Sequence, residues 1–99
     1  VDDLDPVIHA PARLRLVATL AALRRGEEIS FPKVQQLLGM TAGNLSTHVR
    51  KLEDAGYVDV VKTHSGRKPV TYLSLTVVGR RAFEDYTAAL DDLLRGAGA

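Results

Sequence analysis

The sequence predicts a mainly α-helical domain carrying one small β-hairpin, in the order helix–helix–helix–hairpin–helix. Three observations predict it. Apolar residues recur at helical spacing on both sides of a single β-like region. In that region two runs of mostly β-branched and aromatic residues, 57–63 and 70–75, flank a turn at Ser65-Gly66. Capping residues and glycines stand where the helices should begin and end. At 99 residues the chain is one domain with one modest core, spanning 1–99.

The first helix is expected over about 10–25. Pro11 suits its first turn and Gly26 its end. It carries two apolar stripes, Leu16/Leu20/Leu23 and Leu14/Val17/Ala18/Ala21, and a second stripe calls for a second contact. A short helix over about 31–38 follows, with Ser30 as N-cap, Pro32 in the first turn and Val34, Leu37 and Leu38 facing inward. Gly39 stops it. A third helix over about 42–55 is capped by Thr41 and ended by Gly56 at C′. The hairpin occupies 57–75, and a short strand near 28–30 is expected to join it. Thr76 caps a last helix over about 76–95. Its stripe of Val78, Ala82, Tyr86, Ala89 and Leu93 is widened by Phe83, Leu90 and Leu94. The residues from 96 onward should fray.

Two helices joined by a tight glycine-containing turn make a helix-turn-helix. With a hairpin and basic tip after them, the order is that of a winged helix-turn-helix. The third helix is its most informative part. Leu45, Val49 and Leu52 form one inward stripe at i, i+4 and i+7. Gly43, Asn44, Ser46, Thr47, Arg50 and Lys51 lie off that stripe. An anchored helix with polar groups outward suits the DNA major groove, where base edges present donors and acceptors. A solvated helix face is the alternative. Against it, Gly43 and Asn44 are poor helix formers placed just inside the helix, where stability alone would favour alanine or glutamate. Small residues let a helix start approach DNA, and a helix N-terminus attracts phosphate. Arg67 and Lys68 mark the hairpin tip. An arginine beside a glycine there suits a narrow minor groove.

Residues 43–48 with 51–58 resemble the recognition helix of small winged-helix transcriptional regulators related to the MarR and ArsR groups. Gly66-Arg67-Lys68-Pro69 and residues 75–80 resemble their wing and last-helix start, and residues 4–13 their first-helix opening. The resemblance runs over about 4–94. It implies base or phosphate contacts for Thr41, Gly43, Asn44, Ser46 and Thr47, phosphate contacts for Arg50, Lys51 and Lys68, and minor-groove insertion for Arg67.

The reading is therefore a sequence-specific DNA-binding transcriptional regulator, most simply a repressor. It should act as a homodimer on a pseudo-palindromic operator in double-stranded DNA, because half-site symmetry mirrors protein symmetry. The proposed dimer surface comprises Leu16 and Leu20 of the first helix with Phe83, Tyr86, Leu90, Leu93 and Leu94 of the last. The alternatives are a winged-helix protein-interaction module and a sequence-independent architectural DNA binder.

Composition narrows the remaining classes. A 45% hydrophobic and 25% charged chain is that of a soluble globular protein, not a disordered one. No apolar run approaches the roughly 20 residues of a membrane helix, so no membrane partner is expected. The acidic opening Val1-Asp2-Asp3-Leu4-Asp5 lacks the basic start of a secretory signal. The chain opens on Val1 and its one methionine is Met40, which fits a trimmed or processed start. Zero cysteines remove disulfides, thiolate metal sites and thiol switches, in keeping with the cytoplasm. The net charge of +1 says little, but its distribution says more. Lys62, Arg67 and Lys68 form an acid-free basic stretch, while Asp2, Asp3 and Asp5 and later Glu84, Asp85, Asp91 and Asp92 are acidic. His9, His48 and His64 are isolated and make no zinc site, so no metal or cofactor is expected. His48 falls beside the apolar stripe and should be half-buried. No catalytic residue is assigned: Ser46 and His48, at i, i+2, lie on different sides of a helix. No effector pocket is readable.

Overall fold

In the computed structural model, which describes residues 4–97, the elements run α1 Pro11–Ala21, β1 Ile29–Ser30, α2 Phe31–Leu38, α3 Ala42–Asp54, β2 Val58–Ser65, β3 Lys68–Leu75 and α4 Val77–Ala97. Asp2 and Asp3 of the acidic opening, and Gly98 and Ala99 of the expected fraying end, lie outside the described residues. The three strands form one antiparallel sheet in the order β1-β3-β2.

Local chemistry accounts for the boundaries. The Ser30 hydroxyl accepts from the Lys33 N–H at 3.3 Å, and that of Thr41 from the Asn44 N–H at 3.2 Å. Each satisfies a donor that a helix start leaves free. At the end of α3 the Tyr57 N–H donates to Leu52 O and the Gly56 N–H to Glu53 O, both at 2.9 Å. That is the paired bonding of a Schellman motif. Gly66 (φ +67°) occupies the first central position of the two-residue hairpin turn, where the backbone must be left-handed. Arg67 takes the second position with an ordinary negative φ.

The first helix stops at Ala21, not near Arg25. Residues 24–27 form their own turn instead: the Glu27 N–H donates to Arg24 O at 3.0 Å and Glu27 Oε1 accepts from the Arg24 N–H at 2.7 Å. Gly26 (φ +84°) serves that turn and not the helix end. The carbonyls exposed at the end of α1 find the Arg80 guanidinium, whose Nη atoms donate to Ala21 O and Leu23 O at 3.3 and 3.5 Å.

The core gathers side chains from every layer. Leu16, Val17 and Leu20 of α1 are fully buried with Val34, Leu45, Leu52 and Leu73, and with Ile8 of the opening segment. Burying each such aliphatic side chain contributes roughly 1.5–3 kcal/mol. Leu16, Val17 and Leu20 are thus covered within one chain, since α1 packs on α2, α3, α4 and β3 together, while Leu14 and Ala21 of the second stripe are half-buried and Ala18 is exposed. Leu16 and Leu20, expected at a dimer surface, have no exposed area left to offer. Tyr86, also expected there, is only 2% exposed, and its hydroxyl is 2.8 Å from His9 Nδ1. Leu37 and Val78 depart in the opposite direction: expected inside, they are 54% and 59% exposed.

The junction of α3, β2 and α4 is tightly bound. Thr76 Oγ1 donates to Gly56 O at 2.6 Å and accepts from the Gly79 N–H at 2.8 Å, so one hydroxyl both caps α4 and ties it to the end of α3. The Thr76 N–H donates to Tyr57 O at 3.0 Å. A methyl group on Gly79 would overlap the Tyr57 backbone, with Cα and carbonyl carbon only 2.8 Å away. Across the body, the Tyr57 hydroxyl donates to Asp5 Oδ2 at 2.5 Å, which pushes the phenol pKa up to about 12. The molecule measures 57 × 25 × 21 Å, with the exposed hairpin tip and the exposed last turns of α4 extending beyond the buried core.

Candidate nucleic-acid interface

Two faces of α3 divide its labour. Leu45, Val49 and Leu52 are buried, and everything predicted to read DNA is exposed: Thr41, Gly43, Asn44, Ser46, Thr47, Arg50 and Lys51. Arg67 and Lys68 are exposed at the hairpin tip, as is every residue from Val61 to Pro69. The tip is therefore a projecting element. Lys62 and His64 lie on the same face of β2, the face that Val58 and Val60 turn to the core nearer its base.

The hydroxyls of Thr41 and Thr47 are oriented by bonds to the backbone of α3. Thr47 Oγ1 donates to Gly43 O at 3.0 Å. Its proton is then directed at the backbone, leaving lone pairs and the methyl group for an outside partner. Such a group accepts from an amino donor on a base or packs on a thymine methyl. Thr41 is the converse: its oxygen accepts from Asn44 N–H, leaving its proton to donate to a phosphate oxygen.

Gly43 carries a distinct signal. It has no left-handed φ, and a methyl group added there would meet nothing within 4 Å. Neither its backbone conformation nor the packing of the described residues requires a glycine.

His48 is half-buried at the edge of the apolar stripe, and its Nδ1 is buried without a hydrogen-bond partner. Burial lowers its pKa below 6.5, and the charges of Arg13 and Lys51 lower it further. It is a neutral, structural ring and takes no place in the polar face. Among the described residues, no three His, Asp or Glu side chains converge as metal ligands would.

Sequence reasoning missed what several arginines do. Arg13 Nε donates to Val7 O at 2.6 Å, and Arg15 Nη2 to Leu38 O at 3.1 Å. With Arg80 these cations bind main-chain carbonyls. Arg15, 23 residues from Leu38 in sequence, closes the end of α2, which no local pattern announces.

Comparisons with known proteins agree with this geometry. A family model described as a winged helix DNA-binding domain matches residues 12–94. An uncharacterised protein of Methanocaldococcus jannaschii is 31% identical over 80 residues, covering 81% of this chain and 84% of its own. The structure of a transcriptional regulator homologue from Pyrococcus horikoshii superposes with a TM-score of 0.84 at 28% identity, covering 94% of this chain and 89% of that one. The transcriptional repressor BigR of Xylella fastidiosa is 26% identical with a TM-score of 0.59, over 83% of this chain and 75% of its own. The chain belongs to the winged helix DNA-binding domain family and is related to the MarR- and ArsR-type transcriptional regulators.

Proposed function

We propose that this protein is a sequence-specific DNA-binding transcriptional regulator, in its simplest form a repressor that occludes a promoter. The observation that carries the reading is Gly43: a glycine that the fold does not need, at the start of an exposed polar helix face. Thr47, Asn44 and Ser46 read base edges, Thr41, Arg50, Lys51 and Lys68 hold phosphates, and Arg67 enters the adjacent minor groove. The likeness to a protein described as a transcriptional repressor supports repression over activation.

The regulator acts as a C2 homodimer on a pseudo-palindromic site. With Leu16, Leu20 and Tyr86 enclosed in the core, the dimer surface contracts to α4. Leu93 and Leu94 there are 45% and 65% exposed, and Phe83 and Leu90 are partly buried beside them.

The test is a binding assay with a selected operator and with random duplex at two salt concentrations. A regulator keeps a large ratio between the two DNAs, of order 10³ or more. Equal affinity for both would replace it with an architectural binder, and no binding to either with a protein-interaction module.

A further inference from the structure

The two halves of the proposed DNA face meet at a short joint. Helix α3 ends at Asp54 and β2 begins at Val58, so residues 55–57 set the angle between the polar helix face and the hairpin. That angle matters at the tip. Leu75 and Lys68 are seven residues apart on one strand, about 23 Å at the usual rise, so a rotation of roughly 5° at the root moves the tip by about 2 Å. A hydrogen bond tolerates only a few tenths of an ångström.

Tyr57 holds this joint at three points. Its N–H donates to Leu52 O of α3 at 2.9 Å, and its carbonyl accepts from the Thr76 N–H at 3.0 Å. Two main-chain bonds on one residue leave a rotation about the line between them. The side chain supplies the third point, its phenol donating to Asp5 Oδ2 at 2.5 Å. Asp5 is itself firmly placed. Its Oδ1 accepts from the Val7 and Ile8 N–H groups at 2.8 and 3.4 Å, and its carbonyl from the His9 N–H at 2.7 Å. Ile8 is fully buried, and Arg13 Nε donates to Val7 O, so this turn is pinned to α1 and the core. Capping the turn needs one oxygen, which asparagine or serine would supply. The second oxygen of the carboxylate reaches 52 residues along the chain to the joint, where a charged acceptor makes the stronger bond.

We infer that Asp5 is a positioning residue for DNA recognition: through the Tyr57 hydroxyl it fixes the angle between the recognition helix and the wing, and so the wing's contact with DNA. This role rests on the DNA-binding reading above.

The experiment compares wild type, Tyr57→Phe, Asp5→Ala and the double variant, each as the full chain at a temperature where it is folded. Affinity is measured for operator and flank-swapped duplexes, beside stability in denaturant. Tyr57→Phe removes one hydroxyl and should lower operator affinity about fivefold or more. The loss should fall on the wing: the preference for A·T-rich flanks shrinks, while discrimination at the bases facing α3 is kept. In the Asp5→Ala background the same change should cost less than about twofold, because the bond is already gone. Residual dipolar couplings of the free protein should show the hairpin amides reoriented relative to α3 in Tyr57→Phe, and these decide with the affinity should Asp5→Ala not fold. Lower stability with unchanged affinity and flank preference would overturn the role, as would additive losses or unchanged couplings. A wild type that binds no DNA would overturn the DNA reading and this role together. A wild type that binds operator beside an equally good Tyr57→Phe would overturn this role alone.

Discussion

Gly43→Ala separates what the fold needs from what DNA contact needs. Gly43 is in the first turn of α3, its φ is compatible with alanine, and an added methyl would meet nothing within 4 Å. Removing the glycine's excess freedom in the unfolded chain should therefore stabilise the domain by about 0.4–1 kcal/mol. For a domain of this size that is a rise in Tm of roughly 2–6 °C. The same methyl group would stand between the helix start and a closely approaching sugar-phosphate backbone. If one direct contact is lost, operator affinity should fall about tenfold, equivalent to about 1.4 kcal/mol. Thermal unfolding and operator titration on one preparation give both numbers. A variant that is more stable and binds operator as well as the wild type would refute the reasoning, because the helix start then does not approach DNA.

Gly79→Ala should behave in the opposite way, losing about 1–3 kcal/mol of stability in denaturant unfolding, because the Tyr57 main chain it strikes cannot swing aside as a side chain could. His48 should make stability pH-dependent. Its folded pKa lies below the ordinary 6.5, so the unfolded chain takes up the proton first, and stability should decline as pH falls below about 6.5 and level off beneath the lowered value. His48→Gln should flatten that part of the profile, and an unchanged profile would contradict the assignment. On the DNA face, Thr47→Ala should cost about 1–3 kcal/mol of specificity with little change in salt dependence. Lys68→Ala should weaken all sequences alike and lower the salt slope by about one. Replacing Leu93 with aspartate should give folded monomers by sedimentation, and a wild-type monomer at micromolar concentration would remove the dimer from the reading.

Much of this architecture is legible in the chain because its signals are local. Ser30, Thr41 and Thr76 cap the helices that follow them, since a hydroxyl three residues before an N–H needs no tertiary information to bind it. The buried stripe of α3 follows from periodicity alone. Even the two-residue strand β1 could be anticipated. What periodicity cannot say is who covers a stripe. Two stripes on the first helix call for two neighbours, and with the broad stripe of the last helix they place Leu16, Leu20 and Tyr86 at a subunit surface. In the structure those three side chains are covered within the chain, with Ile8 of the opening segment in the same core. The end of α1 departs from the expected Arg25 for a related reason. Gly26 is a strong stop signal, but it belongs to the turn at 24–27, and the helix ends earlier where Arg80, 59 residues from Ala21, supplies its carbonyl partners.

The same long-range bonds change how the charge should be read. A net charge of +1 is no argument for a polyanion partner while every cation counts equally. They do not count equally. Arg13, Arg15 and Arg80 each donate to a main-chain carbonyl of the fold, and Arg95 pairs with Asp91. Arg50, Lys51, Lys62, Arg67 and Lys68 are exposed on α3 and the hairpin, with no side-chain hydrogen bond to the described protein atoms. The acids Glu84, Asp85, Asp91 and Asp92 are carried on α4. A phosphate backbone responds to the local field of the surface it meets, within about a Debye length, and not to the sum over the chain. Five exposed cations on α3 and the hairpin, against Glu53, Asp54 and Asp59 on the same elements, thus give a nearly neutral domain a locally basic face suited to DNA.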